Sequence, residues 1–239
     1  MKLYVAFVVF LISIAGFSQD ITSKALLKNA IDYHDPNGNW TSFNDTFTVV
    51  MTTPSAPKRT SVISINLPDD YFNVSATKDS TTTTYTLDKG KCQMSYNGKA
   101  LDSISAKAKK MTCDRATLYK NYYSYLYGLP MKLKDPGTNL NDKVEKKTFK
   151  GKTYLVLKVT YDETVGSDVW YFYFNPKTYA MEIYQFFKTD DHGIEKPETG
   201  EYIVLTEEAV VNGIKMPKAR AWYYNKDDTY LGTDTLVED

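Results

Sequence analysis

The sequence is poor in the residues that most often carry chemistry. Its 239 residues include only two histidines and two cysteines. Protein metal sites ordinarily draw on three or more His, Cys or carboxylate ligands at recognisable spacing, and no such spacing occurs. There is no nucleophile elbow and no phosphate-cradling glycine loop. Gly98-Lys99 and Gly151-Lys152 sit in hairpin-turn contexts without the surroundings of a phosphate loop. No cofactor is therefore expected. Charge of one sign is also missing: Lys+Arg and Asp+Glu are 29 each. That balance leaves no electrostatic footprint for nucleic acid. Lys107, Lys109, Lys110 and Arg115 form the one local basic patch, which reads as a solvated helix entry before it reads as a headgroup site.

Long apolar runs are absent beyond the first residues. Leu3 to Phe17 follows Lys2 and is too short to span a bilayer comfortably, but it has signal-peptide length. Gly16 and Ser18 fit the −3 and −1 positions of a cut before Gln19. Residues 1–18 are thus expected to be a signal peptide, with an uncleaved anchor as the alternative. No Cys follows the run to carry a lipid. The mature chain is expected in the periplasm or outside the cell. In such a compartment Cys92 and Cys113 are most simply a disulfide. The other reading is a reactive thiol at Cys113, just before a helix start. No Pro/Ser-rich linker and no repeat divides residues 19–239, so one domain is expected.

Aromatic residues are abundant, with 20 Tyr, 11 Phe and 3 Trp. They concentrate from Tyr154 to Phe187, which reads as three consecutive antiparallel strands. The middle strand is aromatic on both faces. Trp170, Phe172 and Phe174 point one way, and Val169, Tyr171 and Tyr173 the other. Neither face suits bare water. One should meet a core; the other should be covered or line a cavity.

Around this stretch the chain alternates between two periods. Asp20 to His34 reads as a helix capped by Asp20, with an apolar stripe of Ile21, Ala25, Leu26, Leu27, Ala30 and Ile31, ended by Pro36 and Gly38. Phe43 to Asn97 reads as five short strands separated by turns. Ser103 to Gly128 interrupts them with a helix. Asp114 is its expected cap, and Leu118, Tyr122, Tyr125 and Leu126 share a face, with Tyr119, Tyr123 and Tyr127 beside it. Strands then resume, with Asn212-Gly213 a strong hairpin signal. The count is about ten or eleven strands and two helices. The fold expected is mainly β: a curled antiparallel sheet, or incomplete barrel, closed by the helices.

Five runs carry a resemblance. They are His34-Asp35-Pro36-Asn37-Gly38-Asn39-Trp40, Gly128-Leu129-Pro130-Met131-Lys132-Leu133, and Val211 to Pro217 with the closing Trp222 to Asn225 and Leu231-Gly232-Thr233-Asp234. With the order helix, strands, helix, strands, the chain resembles the superfamily of the outer-membrane lipoprotein carrier, and within it an uncharacterised secreted bacterial family. The resemblance covers nearly all of the mature chain. It implies an incomplete antiparallel barrel closed by helices around an apolar cavity, in which carrier members are thought to hold acyl chains. The runs mark structure more than chemistry, and the many Tyr hydroxyls would make a wetter cavity than a purely acyl-holding one.

Three functional readings follow. The first is a periplasmic binding or carrier domain, monomeric, sheltering an apolar or amphiphilic small molecule or lipid. Trp170, Phe172, Phe174, Met181, Ile183 and Trp222 would line its cavity, with Leu126, Leu129 and Met131 at the mouth. Transient contact with a membrane or an envelope protein would load or unload it. The second is an interaction module whose aromatic faces are filled by its own helices. The third is an enzyme using His34 and Asp35 as acid and base. For His34 the plainer reading is a cation at a helix C-terminus; for His192, an exposed loop residue among Asp190, Asp191 and Glu195.

Overall fold

The computed structural model describes residues 21–237. The expected signal peptide lies outside these described residues. Helix α1 (Ser23–His34) leads into strands β1 (Asn44–Thr52), β2 (Arg59–Asn66), β3 (Tyr71–Lys78), β4 (Thr81–Asp88), β5 (Lys91–Tyr96) and β6 (Lys99–Ala100). Helices α2 (Ser103–Ala108) and α3 (Cys113–Gly128) follow. Then come β7 (Thr138–Phe149), β8 (Lys152–Tyr161), β9 (Val169–Phe174), β10 (Met181–Phe187), β11 (Glu201–Val211), β12 (Ile214–Tyr224) and β13 (Tyr230–Val237). All pair antiparallel in one sheet, ordered β6-β5-β4-β3-β2-β1-β13-β12-β11-β10-β9-β8-β7. The first and last strands of that order do not pair, so the sheet does not close.

The sheet curls, and one helix proves it. Tyr119 of α3 meets Tyr85 of β4 at 5.4 Å, and Tyr125 of the same helix meets Trp170 of β9 at 5.7 Å. These strands are eight places apart in the sheet order. At about 4.8 Å per strand a flat sheet would separate them by roughly 38 Å. A helix about 10–12 Å across reaches both only if the sheet bends around it.

Local chemistry sets the turns. Asn212-Gly213 joins β11 to β12 with φ of 51° and 74°. Asn97-Gly98 does the same between β5 and β6, with φ of 48° and 76°. Two consecutive positive φ values match the right-handed twist of the flanking strands.

The structure revises several expectations. Among the described residues thirteen strands form rather than ten or eleven. The two missed are β6, only two residues long, and β7, a polar edge strand. Three helices form among the described residues. Asp102 caps α2, and Thr112 rather than Asp114 caps α3. Thr22 caps α1, and Ala25 is exposed outside its buried stripe of Leu26, Leu27 and Ala30. The buried face of α3 is Ala116, Tyr123, Leu126 and Tyr127, while Leu118 is 64% exposed. Tyr123 and Tyr127 win because Phe72 of β3 and Phe47 of β1 offer them ring partners. Cys92 and Cys113 are bonded, with Cα atoms 5.9 Å apart, and tie β5 to the start of α3.

Candidate functional site

The hollow of the sheet is occupied mainly by α3 and the turn after it. Phe172, Phe174, Met181, Leu126, Leu129 and Met131 all lie buried in one core cluster. The expected split of β9 holds: Trp170, Phe172 and Phe174 belong to this cluster, and Val169, Tyr171 and Tyr173 to a second one on the opposite face. Ile183 is a correction. It joins the outer cluster, opposite Tyr173. A register shift between Met181 and Ile183 breaks the alternation that would have put both residues inside.

Two of the expected lining residues border open space. Trp170 lines a cleft of about 670 Å³ with Tyr125, Tyr161 and Ser124. Its lysines are already engaged: Lys120 pairs with Asp70, and Lys132 with Asp135. The Tyr125 and Tyr161 hydroxyls bond each other, and burial pushes Tyr161 up to about 12. Trp222 lines a second cleft of about 320 Å³ with Tyr122, Met51, Leu231, Gly232 and Asp234. Tyr122 and Tyr125 are three residues apart on α3 and so share one side of it. Beneath them the rings of Trp170, Tyr184 and Trp222 run in sequence, with centroids 6.1 and 6.3 Å apart. An aromatic floor therefore links the two clefts.

Sequence reasoning missed the charges under this floor. Arg220 is fully buried, and Asp234, its partner in the β12–β13 register, is 7% exposed. The Arg220 guanidinium lies 3.9 Å from the centre of the Tyr127 ring and donates to the Pro217 carbonyl at 3.0 Å. Its Nε, the Tyr127 and Tyr184 hydroxyls and Oδ1 of Asp234 have no hydrogen-bond partner among the described residues. Burial raises the Asp234 carboxyl above its ordinary value, opposed by Arg220, then Arg59, then the side chains of Trp222 and Tyr122. The signal was present. Arg220 shares strand parity with Trp222, so whatever turns the indole inward turns the guanidinium inward too.

The pair offered as acid and base is structural. His34 is 1% exposed. Its Nδ1 bonds the Lys215 carbonyl at 2.7 Å, and its Nε2 accepts from the Met181 amide at 3.0 Å. That pattern fixes a neutral ring with the proton on Nδ1. Burial lowers its pKa, so it is not the cation expected at the helix end. Asp35 accepts from the amides of Asn39 and Trp40, the first two residues of the short 3-10 turn Asn39–Ser42. His192 lies exposed on the loop after β10, with its amide donating to Asp190.

Three of the runs of the resemblance meet here. A Cβ on Gly128 would lie 2.2 Å from the Trp40 ring, and Asn39 donates to the Asn212 carbonyl at 3.0 Å. The first run therefore packs against both the end of α3 and the Asn212-Gly213 hairpin. These motifs build a plug; they do not gather reactive groups.

One solved structure shares the fold. A LolA superfamily protein, NE2245 from Nitrosomonas europaea, superposes with a TM-score of 0.52 at 9% identity, over 91% of this chain and 92% of that one. A DUF1329 family protein from Desulfovibrio piger gives 0.48 at 9% identity, over 90% and 91%. The MucA/MucB complex of Pseudomonas aeruginosa gives 0.25 at 10% identity, over 87% and 93%. Comparison with curated protein sequences finds no match. The sequence profile of one family spans residues 2–239, and the chain belongs to it: the family of unknown function DUF6503.

Proposed function

We propose that residues 19–239 form a single-domain, non-catalytic binding or carrier protein of the bacterial envelope, exported by residues 1–18, and that it shelters an apolar or amphiphilic molecule beside α3. The observation that carries this reading is the pair of aromatic-walled clefts joined by the Trp170–Tyr184–Trp222 floor. Their volumes, about 320 and 670 Å³, fall in the range of about 300–1,000 Å³ typical of small-molecule sites. Apolar burial favours occupancy by about 25 cal/mol per Å². The disulfide suits an oxidising compartment. Trp170 and Trp222 contact the ligand first. Phe172, Phe174, Met181, Leu126, Leu129 and Met131 reach it only if α3 shifts outward. The protein acts as a monomer that meets a membrane or envelope partner transiently.

Native mass spectrometry and organic extraction of the purified mature protein test the reading. A co-purifying amphiphile, or saturable binding of a fluorescent fatty acyl probe, is the expected result. An empty protein indifferent to such probes rejects it. The second reading then stands: an interaction module filled by its own helix, favoured by the burial of Phe172, Phe174, Leu126, Leu129 and Met131 in the core.

A further inference from the structure

The basic patch is broader in space than in sequence. Residues 89–115 hold seven of the 29 Lys and Arg but only two of the 29 Asp and Glu, Asp102 and Asp114. Three contacts gather this segment at one corner. The Cys92–Cys113 bond joins β5 to the start of α3. The Lys109 ammonium sits 3.6 Å from the centre of the Tyr96 ring. Lys99 is the partner of Tyr96 in the β5–β6 register, so the two side chains leave the sheet on the same face. Lys99, Lys107, Lys109, Lys110 and Arg115 are all exposed, and none is in an ion pair among the described residues. The Asp102 carboxylate is taken up by the Ser105 amide at the start of α2. Two aliphatic side chains project from the same two helices. Ile104 of α2 is 81% exposed, and Leu118 of α3 is 64% exposed. Each stands two residues from a buried alanine, Ala106 or Ala116. At 3.6 residues per turn that is about 200° around the helix, so both point away from the core. Each also shares its helix side with a cation three residues away, Lys107 or Arg115. Along α3 the exposed line continues from Arg115 through Leu118 to Tyr122, which borders the smaller cleft.

We infer that this α2–α3 corner is a docking surface for an anionic bilayer, with the lysines and Arg115 against lipid phosphates and Ile104 and Leu118 entering the headgroup region. The docking face stands on its own; its part in loading or emptying a cleft rests on the carrier reading. Composition decides for a bilayer over a protein partner. Four of the five exposed cations are lysines. Lysine is depleted from protein interfaces, where Trp, Tyr and Arg anchors seated in pockets dominate. Unpaired lysines around protruding aliphatic side chains are what an anionic lipid surface holds. The neutrality of the whole chain does not oppose this, because at physiological salt charge acts over only about 8 Å. Tyr122 lies seven residues beyond Arg115, about 10 Å along the helix. A protein docked by this corner therefore holds the smaller cleft beside the lipid.

The test is flotation of the mature protein with vesicles of phosphatidylcholine alone and of phosphatidylcholine with about 30% phosphatidylglycerol, at about 0.05 and about 0.5 M salt. Wild type should bind the anionic vesicles at least about tenfold more tightly than the neutral ones. High salt, which shortens the screening length, should remove the difference. Each cation near an anionic surface is worth about fivefold in affinity, so Lys107→Gln/Lys110→Gln/Arg115→Gln should weaken binding about a hundredfold. Ile104→Ser withdraws an aliphatic side chain and should weaken binding about tenfold while leaving its salt dependence. All four positions are exposed, and circular dichroism melts establish that the variants are folded; the lipid ranking of wild type needs no variant. Equal binding to both vesicles, no binding to either, or an unchanged affinity in the folded triple variant overturns the docking assignment. So does vesicle indifference joined to cross-linking of wild type, but not the triple variant, to an envelope protein, which gives the corner to a protein partner. A fluorescent acyl probe titrated in solution keeps the two claims apart. Probe binding without vesicle binding overturns docking alone, and vesicle binding without probe binding overturns the carrier reading alone.

Discussion

Replacing His34 with phenylalanine should destabilise the protein strongly, and by an amount that depends on pH. The ring bridges three elements: it sits at the end of α1, bonds the Lys215 carbonyl of β12 and receives the Met181 amide of β10. Phenylalanine keeps most of the shape and removes both bonds. A buried backbone group stripped of its partner costs about 1–3 kcal/mol. The Met181 contact is fully buried and the Lys215 contact only partly so. The total should therefore be about 2–4 kcal/mol. For a domain of this size each kcal/mol shifts the melting temperature by about 2–4 °C, giving a fall of roughly 4–16 °C at pH 7.5.

The pH dependence carries the sharper test. Burial is the largest influence on His34 and holds its pKa below the ordinary 6.5. On acidification the unfolded chain therefore takes up a proton that the folded protein still refuses. Stability present above about pH 6.5 is lost as the pH falls through that value toward the folded-state pKa. His34→Phe has no such proton to take up. Urea denaturation of both proteins at pH 7.5 and 5.5 should show the gap between them narrowing at the lower pH. A gap that widens on acidification, or a variant within about 0.5 kcal/mol of wild type, the scale of an ordinary surface substitution, would refute the neutral-bridge assignment.

Other consequences are simpler. The Cys92–Cys113 bond closes a loop with a sequence separation of 21, so the double serine variant should lose about 3 kcal/mol by the chain-entropy estimate; melts with and without reductant check this, and no change would mean the bridge does not constrain the unfolded chain. Gly128→Val must displace the Trp40 ring, whose nearest atom lies 2.2 Å from the position of the added Cβ; a cost of about 1–3 kcal/mol is expected, read from the urea midpoint. Trp170→Ala and Trp222→Ala each remove the wall of a different cleft. One of them should abolish most binding of a fluorescent acyl probe while the other leaves it nearly intact, and the pattern assigns the cleft in use. Equal, small effects would favour the self-filled module.

How much could be read in advance follows from where pattern and packing agree. The strand β9 could be read on both faces because its alternation is unbroken and both clusters form as expected. Strand β7 could not, because an edge strand keeps water on its side. Lys143, Glu145, Lys146 and Lys147 suit that position and hide the period-two signal. The bulge that turns Ile183 outward leaves no mark in the sequence, since Met181 and Ile183 look alike to any alternation rule. The disulfide was legible from cell compartment and count, although its closeness in space was not. His34 was misread because its surroundings come from Met181 and Lys215, 147 and 181 residues away along the chain.

The harder ambiguity concerns α3, and it has one physical source. An aromatic strand face is equally satisfied by a ligand or by aromatic rings from the protein itself. Here α3 answers the sheet ring for ring: Tyr119 on Tyr85, Tyr123 on Phe72, Tyr127 on Phe47, Tyr125 on Trp170 and Tyr122 on Trp222. The first three pairs stand on buried or half-buried rings over β1–β4 and hold the helix in place. The last two face β9 and β12, where the packing is incomplete and both clefts open. The excess of tyrosine therefore does two things at once. It anchors the helix to one half of the curled sheet and leaves a gap against the other. Asp234 lines the smaller cleft, and Arg220, its register partner on β12, is fully buried. Polar groups are costly to bury without partners, so a loose fit beside buried charge demands an explanation, and the Trp170→Ala and Trp222→Ala binding assays decide between a recognition site and a packing fault.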